Sequence, residues 1–381
     1  MRIAIDVRTV TPVRSGVGNY VLHLLKGLRR VAPGEEFFLV GQPVNHEVIG
    51  WDLPSSLTHR TPISHESHPV GDIWEHFWLP RILERHRVGV LHGPATLIPL
   101  RRADYATVVT IHDLVAFLFP DTIPRKYGMY MRWLLRHVVR RADRIISVSH
   151  NTKNDLVKIL RVNPDKITVI HEAAQPSFKP IEDPKRLGEA CRRYGIDRPF
   201  IYHVGNIEPR KNLVRLIKAY LILRDRLGND VRLAITGQKG WLTKKLMKAL
   251  GGVELGEDVI YTGYVPHEDL PLLMNAARAF VFPSLYEGFG LPVLEAMNCG
   301  TPVVTSNLSS LPEIVGDAAV LVDPHSEQSI ALGMQKVLED NDLRKRLRRE
   351  GLAQAGRFSW EGAALSTLEV YRDVYHLGGG A

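Results

Sequence analysis

Twice along its length this chain sets short runs of aliphatic and β-branched residues apart by helical patterns. In the first half the runs cover residues 2–8, 36–40, 88–92, 107–112, 144–149 and 167–171. In the second they cover 200–205, 231–237, 259–263, 279–283, 303–306 and 319–322. Helical patterns such as 18–30, 73–86 and 126–140 lie between them. Strands alternating with helices build parallel sheets through βαβ units. Two such series predict two doubly wound α/β domains, each with its ligands outside the carboxyl ends of the strands. A chain of 381 residues has material for two such cores. The stretch 173–186, with Gln175, Pro176 and Pro180, reads as the linker.

Composition narrows the classes of function. Hydrophobic residues make up 45% and charged residues 24%, ordinary values for a soluble globular protein. No apolar run approaches the ~18 residues of a membrane span. The amino terminus enters a strand directly and lacks the pattern of a signal peptide. Cys191 and Cys299 are the only cysteines, too few for a disulfide framework or a zinc site. A cytoplasmic location follows as the expectation. The net charge of +8 suits nucleic acid, an anionic membrane surface or a phosphate-bearing small molecule. No helix-turn-helix, zinc-finger or aromatic-basic RNA signature is present, so nucleic acid is set aside. The densest basic stretch, 125–141, places Met129, Trp133, Arg136, His137 and Arg140 on neighbouring faces of a helix. It reads either as a helix docking peripherally on the inner face of the cell membrane or as a core helix with a solvated basic face.

Chemistry concentrates in residues 283–304. Glu287 precedes Gly288, Phe289, Gly290 and Leu291, and Glu295 follows in a short helix that Gly300 and Pro302 end. Glycines at a helix entrance leave backbone N–H groups uncovered where the positive end of the helix dipole points, which makes an anion site. Glu295 stands among Val293, Leu294, Ala296 and Met297, where a charge is costly unless polar groups such as ligand hydroxyls meet it. Earlier in the same half, Gly205 ends a strand and the adjacent cations Arg210 and Lys211 open the next helical pattern. Two cations there would offset a diphosphate and the charge it gathers on leaving. The strand ends at Gly237 and around Val265 are either parts of a base pocket or plain turns. In the first half, the loop with Gly16 and Gly18 lacks the third small residue of a dinucleotide fingerprint, since Val21 stands there. His112, beside Asp113 at a strand's carboxyl end, is a candidate sugar contact or proton carrier. His92, Trp74 and Trp78 are weaker acceptor-side candidates.

The spacing from Glu287 to Glu295, the intervening Leu291, Pro292, Leu294, Ala296 and Met297, and the following Gly300, Pro302, Val303 and Val304 resemble the nucleotide-sugar site of the retaining family-4 glycosyltransferases (glycosyl transferases group 1). The likeness extends over nearly the whole chain. It implies the GT-B architecture: two Rossmann-like doubly wound parallel-sheet domains facing a central cleft. An acceptor-binding domain would span 1–178 and a nucleotide-sugar domain 179–361, with the terminal helix 362–381 crossing back to the first. By the same resemblance Arg210 and Lys211 clamp the diphosphate, Glu287 contacts the donor sugar and Glu295 holds the ribose. Gly205, Gly237, Val265, Gly288, Phe289, Gly290 and Leu291 would line the donor site. Gly16 would belong to a glycine loop approaching the diphosphate, and His112 would lie near the transferred sugar. The expected reaction moves a hexose, mannose above others, from a nucleotide-diphosphate sugar to a glycan or lipid-linked acceptor in surface polysaccharide or glycolipid synthesis. GDP-mannose is favoured over a UDP-sugar. No cofactor and no bound metal are expected, because basic side chains and helix dipoles replace the divalent ion in this architecture. A nucleotide-sugar epimerase of the same shape and an inert glycan-binding scaffold stand as alternatives.

Overall fold

The computed structural model describes residues 1–12, 15–51, 57–61, 70–101, 103–227, 230–237 and 258–377. The chain forms two compact units, Met1–Glu172 with Ser359–Ala381, and Ala173–Phe358. Each is a parallel α/β sheet, which meets the fold class expected from the alternating pattern.

The first unit runs β1 (Arg2–Asp6), α1 (Gly16–Val31), β2 (Glu36–Gly41), α2 (Pro43–Ile49), β3 (Thr58–Arg60), α3 (Val70–Phe77), α4 (Leu79–Arg85), β4 (Val90–Gly93), β5 (Ala106–Ile111), α5 (Val115–Leu118), α6 (Arg125–Arg141), β6 (Arg144–Ser147), α7 (His150–Leu160) and β7 (Ile167–Val169). Its seven strands lie in the order β3-β2-β1-β4-β5-β6-β7. The order reverses between β1 and β4, so the loops after these strands flank the switch point where ligands of such sheets bind. β5 is buried along its whole length, as a central parallel strand covered on both faces must be.

Two local expectations are corrected. The helical pattern 73–86 is two helices interrupted at Trp78, because Pro80 falls in the first turn of α4, where its missing N–H is tolerated only at a helix start. The strand predicted over 2–8 stops at Asp6. The sequence pattern also gave no sign of α2 or of the three-residue edge strand β3, which is too short and too polar to show alternation.

The second unit begins with α8 (Pro184–Arg193) and continues through β8 (Phe200–Val204), α9 (Leu213–Leu227), β9 (Arg232–Thr236), β10 (Val259–Gly263), α10 (Leu270–Ala276), β11 (Ala279–Phe282), α11 (Leu291–Asn298), β12 (Val303–Ser306), α12 (Leu311–Val315), β13 (Val320–Val322), α13 (Glu327–Glu339) and α14 (Asn341–Ala355). The strand order is β10-β9-β8-β11-β12-β13. Here the switch point lies between the adjacent strands β8 and β11. These two strands lead into Arg210 with Lys211 and into Glu287, respectively.

The last helix, α15 (Trp360–Leu377), belongs to the first unit and packs along α1. Tyr371 is fully buried there and its hydroxyl meets His92 Nδ1 at 2.6 Å. Gly27 makes the approach possible: a Cβ at this position would stand 2.6 Å from the Trp360 carbonyl oxygen and 2.9 Å from Ala364 Cβ. Gly27→Ala therefore forces α1 and α15 apart and costs about 1–3 kcal/mol, the usual range for overpacking. Urea denaturation followed in the first unit should show the loss, and an unchanged midpoint would mean the two helices part freely.

Candidate active site

Beyond β8 the chain turns at Gly205, whose N–H donates to the Thr236 carbonyl at 2.9 Å. It then forms a 3-10 turn, Pro209–Lys211, that Asn212 closes in the left-handed region at φ 62°. Arg210 and Lys211 thus precede α9 on a separate turn and do not open the helix, a correction to the sequence reading. The turn is fixed by Asn212, whose Nδ2 donates to the carbonyls of Pro283 at 3.0 Å and Pro324 at 2.6 Å. One amide therefore ties the loop after β8 to the loops after β11 and β13.

Glu287 meets both cations. Lys211 Nζ donates to its Oε1 at 2.7 Å and Arg210 Nη1 to its Oε2 at 2.9 Å. Ser284 Oγ donates to Oε1 at 2.6 Å. The carboxylate is 7% exposed, and burial alone would raise its pKa. The charges of Lys211 and Arg210 outweigh burial and hold it down at about 2. Burial lowers the pKa of Lys211, and Glu287 offsets part of that shift. The Lys211 ammonium also lies 4.8 Å from the centre of the Phe282 ring. Arg210 is held a second time, by Nε to Glu208 at 2.9 Å.

The turn after Glu287 is strapped from behind. Ser309 Oγ accepts from the Glu287 N–H at 3.1 Å and donates to its carbonyl at 2.6 Å, while Ser310 Oγ donates to the Phe289 carbonyl at 2.6 Å. Gly290 adopts φ 119° and, as the cap of α11, brings no side chain of its own to the helix entrance. Leu291 is its first residue, and Glu295, 8% exposed, lies within it. Gly237 stands beside Gly205: a Cβ on it would fall 2.0 Å from the Gly205 carbonyl oxygen, so only glycine fits. Val265 is buried in the turn after β10. The second unit thus brings Gly205, Gly237, Arg210, Lys211 and Glu287 together, with Gly288, Phe289, Gly290 and Leu291 leading into the helix of Glu295. Asn212, Ser284, Ser309 and Ser310 were missed in the sequence. The only available signal was the Ser309–Ser310 pair ahead of a Leu-Pro helix start.

In the first unit His112 follows β5. Its Nδ1 lies 3.0 Å from Glu172 Oε1 and its Nε2 2.9 Å from the Pro94 carbonyl. Both neighbours are acceptors, so the ring is held as an imidazolium with both protons donated. Burial pushes its pKa down, but the hydrogen bond and charge of Glu172 prevail and raise it. Asp113 Oδ1 accepts from the Val115 N–H at 3.0 Å and starts α5. Tyr20 stands edge-on to His112, ring centres 4.8 Å apart. Gly16 is the first residue of α1, with Ser15 as its cap; its neighbours Val13 and Arg14 lie outside the described residues. His92 is not an acceptor-side group. It is fully buried between Tyr371 and Thr110, and burial drops its pKa to about 3. Trp74 stacks on His59 and lies under the Arg8 guanidinium, whereas Trp78 is about half exposed.

Residues 14–177 match the family described as Glycosyltransferase Family 4, and residues 192–354 match Glycosyl transferases group 1. The chain is 31% identical to the O-antigen chain mannosyltransferase B of Escherichia coli, over 98% of this chain and 100% of that protein. It is 34% identical to the serotype-specific mannosyltransferase WbdA of Escherichia coli over 72% of its own length, which spans 34% of that relative. Among solved structures, HepE of Anabaena in complex with UDP and glucose superposes with a TM-score of 0.75 at 18% identity, over 98% of this chain and 100% of that one. The chain therefore belongs to the group 1 glycosyltransferases of GT-B fold, and it is a hexosyltransferase.

The charged groups set a pH profile for stability. The raised pKa of His112 stabilises the fold fully below 6.5, and this contribution is lost as pH rises through the higher folded value. His92, lowered to about 3, and Glu287, lowered from 4.5 to about 2, act in the opposite sense. Their contributions hold above 6.5 and 4.5 respectively and fade as pH falls. His112→Gln should lower Tm below pH 6.5, where the contribution is full, and remove the decline that begins above it, while the acid-side slope stays as in the native protein. An alkaline slope equal to that of the native protein would show that Glu172 does not face an imidazolium.

Proposed function

We propose that this hexosyltransferase moves mannose, with retention of configuration, from a nucleotide-diphosphate sugar to a glycan or lipid-linked acceptor in surface polysaccharide or glycolipid synthesis. The observation that carries the reading is the buried Arg210–Glu287–Lys211 cluster at the carboxyl ends of β8 and β11. Arg210 and Lys211 would receive the diphosphate as it leaves, where oriented cations act most strongly on developing charge. Glu287 holds both in place before the donor arrives and meets the sugar at the reacting end. Glu295 takes the ribose hydroxyls, and the entrance of α11, from Gly288 to Leu291, faces the phosphates. Gly205 gives room at the strand end, and Gly237 with the turn at Val265 offers backbone groups to the base. In the first unit, His112 as a fixed cation and the Gly16 turn would serve the transferred sugar. The bond from the sugar's anomeric carbon to the diphosphate breaks, the acceptor oxygen bonds to the same face, and the acceptor proton passes to the departing phosphate oxygen.

GDP-mannose is the donor of this proposal, in keeping with the mannosyltransferase relatives. Peripheral membrane contact is part of the same reading. On α6, Tyr127, Met129 and Trp133 are each about half exposed, beside the exposed cations Arg125, Lys126, Arg136 and Arg140. Among the described residues no helix is long and apolar enough to cross a membrane, so attachment would be at the surface.

Three measurements test this. In a thermal-shift panel GDP-mannose should stabilise the protein more than UDP-sugars or ADP-sugars, and preference for another base would replace the donor. Lys211→Met keeps the stem over Phe282 and removes the charge, so kcat should fall by about a hundredfold or more; native turnover in this variant would end the clamp assignment. Flotation with vesicles should recover the protein on anionic lipid alone and less of Trp133→Ser, whereas equal recovery on neutral lipid would remove the membrane role.

A further inference from the structure

We propose that the first unit contains a hydrocarbon subsite, which takes the apolar chain of an acceptor whose sugar is linked through phosphate. The proposal rests on the reading of a lipid-linked acceptor and names the part of it that the protein grips.

A cavity of about 360 Å³ opens beside His112, within the size range of small-ligand sites. Its wall is aliphatic, built by Leu97, Ala116, Ile123, Met131, Leu134 and Leu135. Polar groups also line it, but most are already committed. Ser15 Oγ accepts from the Gly18 N–H, Asp113 accepts from the Val115 N–H, and His112 has an acceptor at each nitrogen. A sugar pressed against the aliphatic side chains would give up hydrogen bonds to water and find few replacements there. A hydrocarbon gives up none and gains from leaving water. Among the described residues Thr9 Oγ1, on the same wall, is buried and unpaired.

The surroundings of the opening match the rest of such a ligand. Tyr127 lines the cavity and is 45% exposed, so it stands at the mouth. Arg125 and Lys126 precede it, exposed, in the first turn of the helix. Arg132 Nη1 donates to the carbonyl of Ala116 at 3.4 Å, which puts a third cation next to the wall. The carboxylate on the wall, Asp113, is engaged with its own backbone turn. A buried aliphatic wall leading to an exposed tyrosine and to cations suits a hydrocarbon that carries an anionic phosphate.

Geranyl phosphate is the probe, titrated calorimetrically into the full chain against inorganic phosphate. It should bind at least about tenfold more tightly than inorganic phosphate, with a negative heat-capacity change. Ala116→Phe and Ile123→Trp fill the cavity from two sides. Each should weaken the probe about tenfold while nucleotide binding in the second unit stays as in the native protein. Trp133→Ser strips the outer face of α6 and should leave the probe's affinity near native. Equal affinity for geranyl phosphate and inorganic phosphate overturns the proposal. So does loss of binding in Trp133→Ser with retention in both cavity variants, because the chain would then lie on the helix surface. Binding of the probe together with transfer only to acceptors that carry no lipid would uphold the subsite and remove the lipid-linked acceptor, so the two fail separately.

Discussion

Burying Glu287 between Lys211 and Arg210 is the constraint on which the second unit's site depends. A carboxylate taken from water is tolerable only with its charge matched and its lone pairs satisfied. Here two cations and the Ser284 hydroxyl do both. The cations come from the turn after β8 and the acid from the turn after β11, which are neighbours in the sheet. The ion cluster therefore fixes two loops against each other at the place where the strand order reverses. Asn212 adds a third point by reaching the carbonyls of Pro283 and Pro324. Its left-handed backbone, unfavourable for most side chains, is held by those two hydrogen bonds. Preorganisation of this kind leaves little to rearrange when charge develops on a leaving group.

How much of this was legible in the sequence follows from the range of each interaction. The sheets were legible because apolar runs and helical periods are local properties repeated many times. Gly290 was legible as a helix entrance because it stands directly before Leu291 and Pro292, and proline is favoured in a first turn; its left-handed backbone was not. The pairing of Lys211 with Glu287 was only half legible. Both residues stood out, yet nothing local shows that they bond to each other 76 positions apart. Asn212, Ser309 and Ser310 were silent because they act through backbone carbonyls, which any sequence possesses. His92 misled for a related reason: a histidine at a strand end looks functional until Tyr371, from the far end of the chain, is seen to cover it.

That far end matters to the first unit. Tyr371 on α15 meets His92, His92 meets Thr110, and the Tyr20 hydroxyl meets the same Thr110 oxygen at 3.1 Å. Tyr20 in turn presents its edge to the His112 ring. A buried hydrogen-bonded chain therefore runs from the terminal helix to Tyr20, and a ring contact carries it on to His112 at the carboxyl end of β5. Buried networks of this kind rigidify when every member is satisfied. The terminal helix α15 thus supports, from the far end of the sequence, the residues behind the loop of His112. Gly27 is what lets it dock closely.

The charge count of the ligand-free cluster carries a last consequence. Arg210 and Lys211 contribute two positive charges, and Glu208 and Glu287 two negative ones, so their sum is zero. The site does not attract a diphosphate by excess side-chain charge alone. What it offers is donors in fixed directions: an ammonium has three N–H groups, and Lys211 gives one of them to Glu287. The entrance of α11 adds the positive end of a helix dipole close by. A ligand recognised through donors in fixed directions must present oxygens at matching positions, which a diphosphate does and a simple anion does not. Burial has already lowered the pKa of Lys211. An arriving dianion stabilises its charged form, so proton affinity and donor binding strengthen each other. Neutrality at rest also keeps the buried cluster tolerable when no donor is present, which excess charge at the same depth would not.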